Sequence, residues 1–162
     1  MQDEKRASGG RLIYEHKRSH RCGELREEHI GDEVVLMGWV HARRDHGGCV
    51  FIDLRDRAGF VQVVFDAEID AATLETATTL RNEWVIGLRG KVRSRGANVN
   101  AKIPTGAIEV MASTLEVFSH AKPLPFTITD EVDAQEETRL RYRYLDLRRP
   151  PLQRNLMMRH RF

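Results

Sequence analysis

The residues best suited to chemistry in this sequence are an aromatic ring, an amide and several cations. Phe51 alternates with aliphatic residues in CVFIDLRD, Arg55 shares its parity, and Gln62 alternates in the same way in FVQVVFD. An exposed ring can stack on a base, and an amide offers a donor and an acceptor to an unstacked base. Arg43 and Arg44, in the predicted first loop ARRDHGG, can reach a phosphate or a base. Together these residue types predict binding of a single-stranded nucleic acid.

Further cations alternate with apolar residues in the segment WVIGLRGKVRSR. The cations on one parity are Arg89, Lys91, Arg93 and Arg95. Their row could follow a nucleic-acid backbone, because phosphates need cations along their track. A solvated face whose cations pair with acids is the more common reason for such a row, and Phe51 could equally pack under a helix or a neighbouring domain. The residues alone leave both alternatives open.

Seven histidines and two cysteines form no metal-binding or catalytic pattern. The sequence contains no HxH, HExxH or CxxC spacing, no GxSxG motif and no Walker loop. We therefore expect no metal ligand and no catalytic residue in this chain. Cys22 and Cys49 are expected to be small buried hydrophobic residues rather than a disulfide.

The elements that must position these residues are short strands. Alternation and β-branched content predict strands at residues 33–41, 49–56, 60–66, 84–95 and 108–118. Glycines at positions 47, 48 and 59 predict turns, so the first three strands form an antiparallel meander. Asp70 is placed to cap a helix in AATLETATTL. Parity sends Val50 and its alternate neighbours, with the matching set from Val61, into the core.

Five short strands with one helix between the third and fourth predict a mainly β protein. This order suggests the five-stranded Greek-key barrel called the OB-fold, whose usual ligands are oligonucleotides and oligosaccharides. An unrelated five-stranded α+β domain fits the pattern as well.

Charge and composition divide the chain into four segments. Residues 1–18 predict a mobile extension, 19–122 the barrel and 123–138 an acidic linker. Residues 139–162 carry eight arginines and the single acid Asp146, so the net charge of +2 conceals a basic end. No apolar run approaches the roughly 20 residues of a membrane span. We expect a cytoplasmic protein with no membrane partner.

Several motifs resemble those of bacterial aspartyl-tRNA synthetases, from about Ser19 to the end of the chain. They are GWVHARRDHGGCVFIDLRDRAGFVQVVFD, LRNEWVIGLRGKVRSR, PTGAIEV, KPLPF and, most specifically, LRYRYLDLRRP. The resemblance implies an anticodon-binding OB-fold, a hinge and the incomplete start of an α/β class II catalytic domain. In that family the intact enzyme is a homodimer that uses ATP and Mg²⁺ to form aspartyl-adenylate. The chain itself is expected to bind neither cofactor.

The same resemblance implies which residues contact the tRNA anticodon. Those residues are Arg44, Phe51, Gln62, Arg93, Arg95, Asn98, Asn100 and Glu109. By this resemblance Phe51 stacks on the central uracil, Gln62 pairs with it, and Glu109 accepts from the amine of the third base, cytosine in tRNA(Asp). His46, with a small residue at position 96 or 97, resembles the relaxed form that also charges tRNA(Asn). It could equally be a polar loop residue.

The family's three catalytic motifs should follow Phe162. We therefore expect this chain alone to bind tRNA without aminoacylating it. A free-standing OB-fold that binds single strands without sequence preference is the rival interpretation. A dimerisation fragment is a third, because the hinge and final helix adjoin the dimer interface in the intact family member.

Overall fold

The computed structural model describes residues 17–162, which form two compact units. The first ends at Ala121 and the second comprises Lys122–Phe162. The predicted extension at residues 1–18 lies outside the described residues except for its last two. Within the described part, no helix is both long enough and apolar enough to cross a membrane.

The first unit is a closed five-stranded barrel. Its strands are β1 (Glu33–His46), β2 (Cys49–Asp56), β3 (Gly59–Asp66), β4 (Val85–Ser94) and β5 (Ile108–Ser119), in the spatial order β1-β2-β3-β5-β4. Short 3₁₀ turns at Cys22–Glu24 and Glu27–His29 precede β1. Helix α1 (Ala67–Thr79) connects β3 to β4. The prediction of a mainly β OB-fold barrel with one helix after the third strand is therefore confirmed.

The barrel core follows the alternation of β2 and β3. The predicted inward side chains are all at most 2% exposed: Val50, Ile52, Leu54, Val61, Val63 and Phe65. Their partners from the other strands include Leu36, Ile86, Leu88 and Val110, each fully buried. Because side chains alternate between the two faces of a strand, burying this set leaves the opposite parity of both strands for the outer face.

Strand β1 is longer than the sequence indicates, so the predicted first loop is mostly wrong. Residues 42–46 continue the strand, and only Gly47 and Gly48 form the turn, with φ of 59° and 84°. Positive φ at both positions suits the two-residue hairpin turns that match strand twist. The charged residues of ARRDHGG therefore lie on a strand, where the hairpin with β2 holds them.

A β-bulge interrupts the pairing of β1 with β2. Val40 pairs with Leu54 and Ala42 pairs with Asp53, so His41 is the extra residue. A one-residue bulge shifts every later side chain to the opposite face. Arg44 consequently pairs with Phe51 on the outer face, where unbroken alternation from Val40 would have turned it inward.

Two aspartates begin helix α1. Asp66 accepts from the backbone N–H of Glu68, and Asp70 then leaves helical geometry at φ −158°. The Asp70 carboxylate accepts from the N–H of Ala72 and the hydroxyl of Thr73. Asp70 is thus the N-cap of the longer helical segment, as the sequence predicted, and these bonds lower the pKa of its carboxyl.

The barrel closes where β3 and β5 meet. Their parallel pairing comprises Val63 with Val110 and Val64 with Met111. The other four strand contacts are antiparallel and longer. This short parallel seam joins segments that are distant in the sequence.

The second unit contains helices α2 (Glu136–Arg141), α3 (Arg143–Asp146) and α4 (Pro150–His160). Its predicted linker is not a plain spacer, because Phe126 and Ile128 are buried with Leu145. Asp146, 1% exposed, accepts from Arg149, which in turn donates to backbone carbonyls at positions 129 and 130. Through Asp146 and Arg149, the motif YLDLRRP is therefore hydrogen-bonded to the backbone at positions 129 and 130.

Candidate nucleic-acid interface

One open groove of about 1000 Å³ crosses the outer face of the barrel. All nine predicted site residues line it: Arg44, His46, Phe51, Gln62, Arg93, Arg95, Asn98, Asn100 and Glu109. They come from all five strands and from the loop between β4 and β5. Residues 65 positions apart in the chain thus meet at a single surface.

The centre of the groove is a hydrogen-bonded pair of buried side chains. Gln62 is 8% exposed and Glu109 is 6% exposed, and the Gln62 Nε2 atom donates to Glu109 Oε2 at 2.7 Å. The Arg93 Nε atom donates to the other oxygen of Glu109, also at 2.7 Å. The carboxylate is thereby held in one orientation, and the bond from Gln62 crosses the seam between β3 and β5.

Arg44 is fixed beside this pair by Asp53. Its two terminal nitrogens donate to the two carboxylate oxygens of Asp53 at 2.9 and 2.7 Å. One of them also lies 3.4 Å from Gln62 Oε1. A bidentate pair of this kind gives directional as well as electrostatic restraint. Arg44, Gln62, Glu109 and Arg93 therefore form a continuous polar row, and Phe51 lies half-buried on the groove wall.

Parity alone predicted one more guanidinium for this face, and the structure corrects its role. Arg55 is 8% exposed and donates through one nitrogen to both oxygens of Glu83, at 2.8 and 2.7 Å. Its other terminal nitrogen bonds the Nδ1 atom of His41 at 3.0 Å. Arg55 is thus committed within the protein and does not line the groove. Val64, which has the same parity as Gln62 on β3, is buried as well.

The predicted row of cations on β4 divides into two parts. Arg93 and Arg95 line the groove, whereas Arg89 pairs with Glu33 at 3.6 Å. Lys91 is exposed and is not among the groove residues. Ion pairing therefore occurs in both parts of the row, since Arg93 pairs with the groove residue Glu109 at 2.7 Å.

Arg43 does not reach the groove, contrary to expectation. Its guanidinium bonds the carbonyl of Thr78 at the end of α1 and pairs with Asp45 at 3.0 Å. Adjacent residues of a strand point to opposite faces, and the bulge turns residue 44 rather than residue 43 toward the groove.

Sequence reasoning missed two aromatic rings of the groove, those of His41 and Phe60. Their rings meet edge to face with centroids 4.8 Å apart. Burial, and next the Arg55 guanidinium, lower the pKa of His41. Alternation along GWVH is the signal that could have placed His41 on the outer face, because it follows the inward Val40. Among residues 17–162, no group of three metal-ligating side chains is positioned to hold an ion.

Comparison with known proteins identifies this barrel. The tRNA anticodon family, described as an OB-fold nucleic acid binding domain, matches residues 34–118, more than half of the chain. The chain belongs to this family. The match runs from β1 to the end of β5, so this anticodon-type OB-fold contains every strand that contributes to the groove.

The similarity to known proteins extends into the second unit. The chain is 61% identical over 149 residues to the aspartate–tRNA(Asp/Asn) ligase of Anaeromyxobacter dehalogenans, covering 92% of this chain and 25% of that protein. The chain thus spans about a quarter of the length of such curated relatives. The resemblance to bacterial aspartyl-tRNA synthetases is confirmed.

Two solved structures share the architecture. Asparaginyl-tRNA synthetase from Pyrococcus horikoshii, complexed with asparaginyl-adenylate, superposes with a TM-score of 0.68 at 29% identity, over 83% of this chain and 30% of that one. The aspartyl tRNA synthetase from Entamoeba histolytica gives 0.74 at 21% identity, over 86% and 34%. At 21% identity, the similarity to the Entamoeba histolytica structure is evidence for the fold alone.

Proposed function

We propose that the barrel binds the anticodon loop of tRNA(Asp) and serves as the anticodon-binding part of an aspartate–tRNA ligase. The observation that carries this proposal is the polar row of Arg44, Gln62, Glu109 and Arg93 beside Phe51. A ring for stacking, an amide and a carboxylate for base edges, and arginines for phosphate are what an unstacked loop requires. The names of the similar ligases support the choice of tRNA.

Gln62 is oriented to read uracil without giving up its present bonds. An amide has two N–H donors and two acceptor lone pairs. One donor goes to Glu109 and one lone pair faces Arg44. The second donor can bond uracil O4 and the second lone pair can accept from N3–H, while Phe51 stacks on the ring. Cytosine at this position would oppose donor to donor and acceptor to acceptor.

Glu109 is suited to the third anticodon base. Both of its oxygens already accept one hydrogen bond, and each retains capacity for another. Cytosine offers an exocyclic amine, whereas uracil offers an oxygen that the carboxylate repels. We further propose that His46 and the small residues at positions 96 and 97 relax this choice, so that tRNA(Asn) is also accepted. The name of the similar Anaeromyxobacter ligase, which includes both tRNAs, supports that extension.

The test is binding of anticodon stem-loops, measured by fluorescence anisotropy at fixed salt. Phe51→Ala should weaken the tRNA(Asp) stem-loop by about 5- to 150-fold, because stacking contributes about 1–3 kcal/mol per base. Gln62→Ala should weaken it and also remove the preference for central uracil. Lys91→Ala is the matched control, an exposed cation on the same face of β4 that lies outside the groove. Equal binding of unrelated loops would instead favour a general single-strand binder.

Third-base recognition is tested with stem-loops ending in cytosine and in uracil. On the proposed relaxed recognition, the two should bind within a few-fold of each other. A preference of about 100-fold, or ~2.7 kcal/mol, would mean a discriminating protein and would refute the tRNA(Asn) extension.

The ligase as a whole is proposed to act in the cytoplasm as a homodimer, with ATP and Mg²⁺ supplying aspartate activation. The residues described here carry the recognition step and no part of the activation chemistry. Purified chain added to tRNA(Asp), ATP and aspartate should therefore give no aminoacylation. Product above background would contradict this division of labour.

A further inference from the structure

A second cluster of side chains lies on the groove side of the barrel, away from Phe51. It joins His41 of β1, Arg55 of β2 and Phe60 of β3. Arg55 pairs with Phe60 in the ladder and lies four residues from Phe51, about 13 Å at strand spacing. His41 and Phe60 line the groove. The groove therefore has a second aromatic wall, beyond the row that contains Gln62.

The hydrogen bond from Arg55 determines which nitrogen of His41 carries a proton. A guanidinium can only donate, so the Nδ1 atom 3.0 Å from Arg55 must be the acceptor. The imidazole is therefore neutral, with its proton on Nε2. The Arg55 guanidinium is held in this orientation, because its other terminal nitrogen donates to both carboxylate oxygens of Glu83. Both side chains are at most 9% exposed.

Strand alternation turns this ring outward, because His41 follows the buried Val40. His41 is also the residue inserted between the paired positions Val40 and Ala42. Bulges re-aim side chains and are common beside functional sites. This insertion shifts the parity of the residues after it, so Arg44 reaches the same outer face as His41.

We propose that His41 reads a base carbonyl: its Nε2–H donates to the exocyclic oxygen of a base next to the one stacked on Phe51. The inference rests on the proposed anticodon binding. In a loop with the anticodon GUC, cytosine presents an amine and is assigned to Glu109. The acceptor is therefore O6 of the first base, guanine.

A neutral donor with a locked tautomer selects oxygen over nitrogen at this position. A base with an amine at this position would place a second donor opposite the Nε2–H donor of His41. His41 cannot move its proton to Nδ1 to become an acceptor at Nε2, because Nδ1 already accepts from Arg55. An arginine at the same place would tolerate a phosphate oxygen equally well. The histidine therefore adds base selectivity, whereas Arg44, Arg93 and Arg95 supply charge.

The experiment is a cycle that combines protein and RNA substitutions, read as stem-loop affinity of the full 162-residue chain. Replacing the first guanine by 2,6-diaminopurine exchanges O6 for an amine, whereas inosine keeps the oxygen. Wild type should lose about tenfold, or ~1.4 kcal/mol, with diaminopurine and much less with inosine. His41→Phe keeps an aromatic ring against Phe60 and should bind the guanine loop about tenfold more weakly. It should then distinguish guanine from diaminopurine by less than twofold.

A second variant guards against a folding artefact. His41→Gln supplies an amide N–H in place of Nε2–H, and it should recover part of the preference for guanine over diaminopurine. Each variant is first compared with wild type by circular dichroism and thermal melting. If His41→Phe weakens both loops by the same factor while remaining folded, the inference is wrong although the proposed function stands. If the wild-type chain binds no stem-loop in a Phe51-dependent way, both fall.

A pH series separates base reading from a cationic phosphate contact. The charged groups around His41 are Arg55 and Asp53 of β2 and Glu83 before β4, and the first of these opposes protonation. Because the pKa of His41 is lowered and Arg55 donates to its Nδ1 atom, the affinity ratio of wild type to His41→Phe should stay constant between about pH 7 and 8. A ratio that rises on acidification would show an imidazolium bound to phosphate and would overturn the inference.

Discussion

Replacing Glu83 by glutamine tests the buried ion pair behind the groove. Arg55 and Glu83 are 9% and 8% exposed at their side chains and share two hydrogen bonds of 2.7 and 2.8 Å. The substitution preserves shape but leaves the guanidinium without its countercharge. Removing one partner of a buried pair costs about 3–5 kcal/mol, because the remaining charge has lost both water and its partner.

The assay is urea unfolding followed by tryptophan fluorescence. Both tryptophans of the chain, Trp39 and Trp84, belong to the barrel unit, so the signal reports barrel unfolding alone. With a urea dependence of about 1–3 kcal/mol/M, the midpoint for Glu83→Gln should fall by about 1–5 M. Circular dichroism provides an independent measure of the same transition.

The matched control is Glu33→Gln, which breaks an exposed pair. Glu33 lies 3.6 Å from Arg89, and the two side chains are 67% and 31% exposed. Exposed pairs contribute up to about 1 kcal/mol, so this midpoint should move far less. Equal midpoint shifts in the two variants would refute the reasoning, since burial would then have no bearing on the cost.

Three further outcomes are expected. Gly106→Ala should destabilise the barrel by about 1–3 kcal/mol in urea unfolding, because the added Cβ would lie 1.8 Å from the carbonyl oxygen of Asn100 and force the groove loop to move; unchanged stability would contradict this packing. Asp146→Asn should increase proteolysis within residues 122–135, since Arg149 loses its buried countercharge; an unchanged cleavage rate would argue against the role of this ion pair. Burial and nearby Asp56 raise the pKa of the Cys22 thiol, so it should resist alkylation at pH 8 until the chain unfolds, as mass spectrometry would show.

Much of the fold could be predicted because β2 and β3 alternate without interruption. The inward parity of both strands is buried, so Val50 and Val61 mark the core, and the opposite parity places Phe51 and Gln62 on the outer face. The resemblance then supplied groove residues in the β4–β5 loop, such as Asn98, which no alternation rule could place. These residues do meet at one groove, although their roles in binding stay proposals.

The rest depended on contacts that periodicity does not encode. The bulge at His41 reverses the parity of the residues after it, so Arg44 rather than Arg43 faces the groove. Arg55 had the right parity but found a buried acid, Glu83, from a segment 28 residues away. Such pairings follow from which strands become neighbours in space, and a single sequence does not reveal that.

The seam between β3 and β5 links closure of the barrel to formation of the groove. Gln62 and Glu109, 47 positions apart, are joined only once the sheet has curled shut, and closing a long loop carries an entropic cost. The polar centre of the groove therefore exists only in the closed barrel. RNA that binds only the closed form would add about 2.7 kcal/mol to closure at 100 times its Kd. Hydrogen exchange at Val110 and Met111 should slow accordingly, so the bound RNA would stabilise the barrel at the seam between β3 and β5.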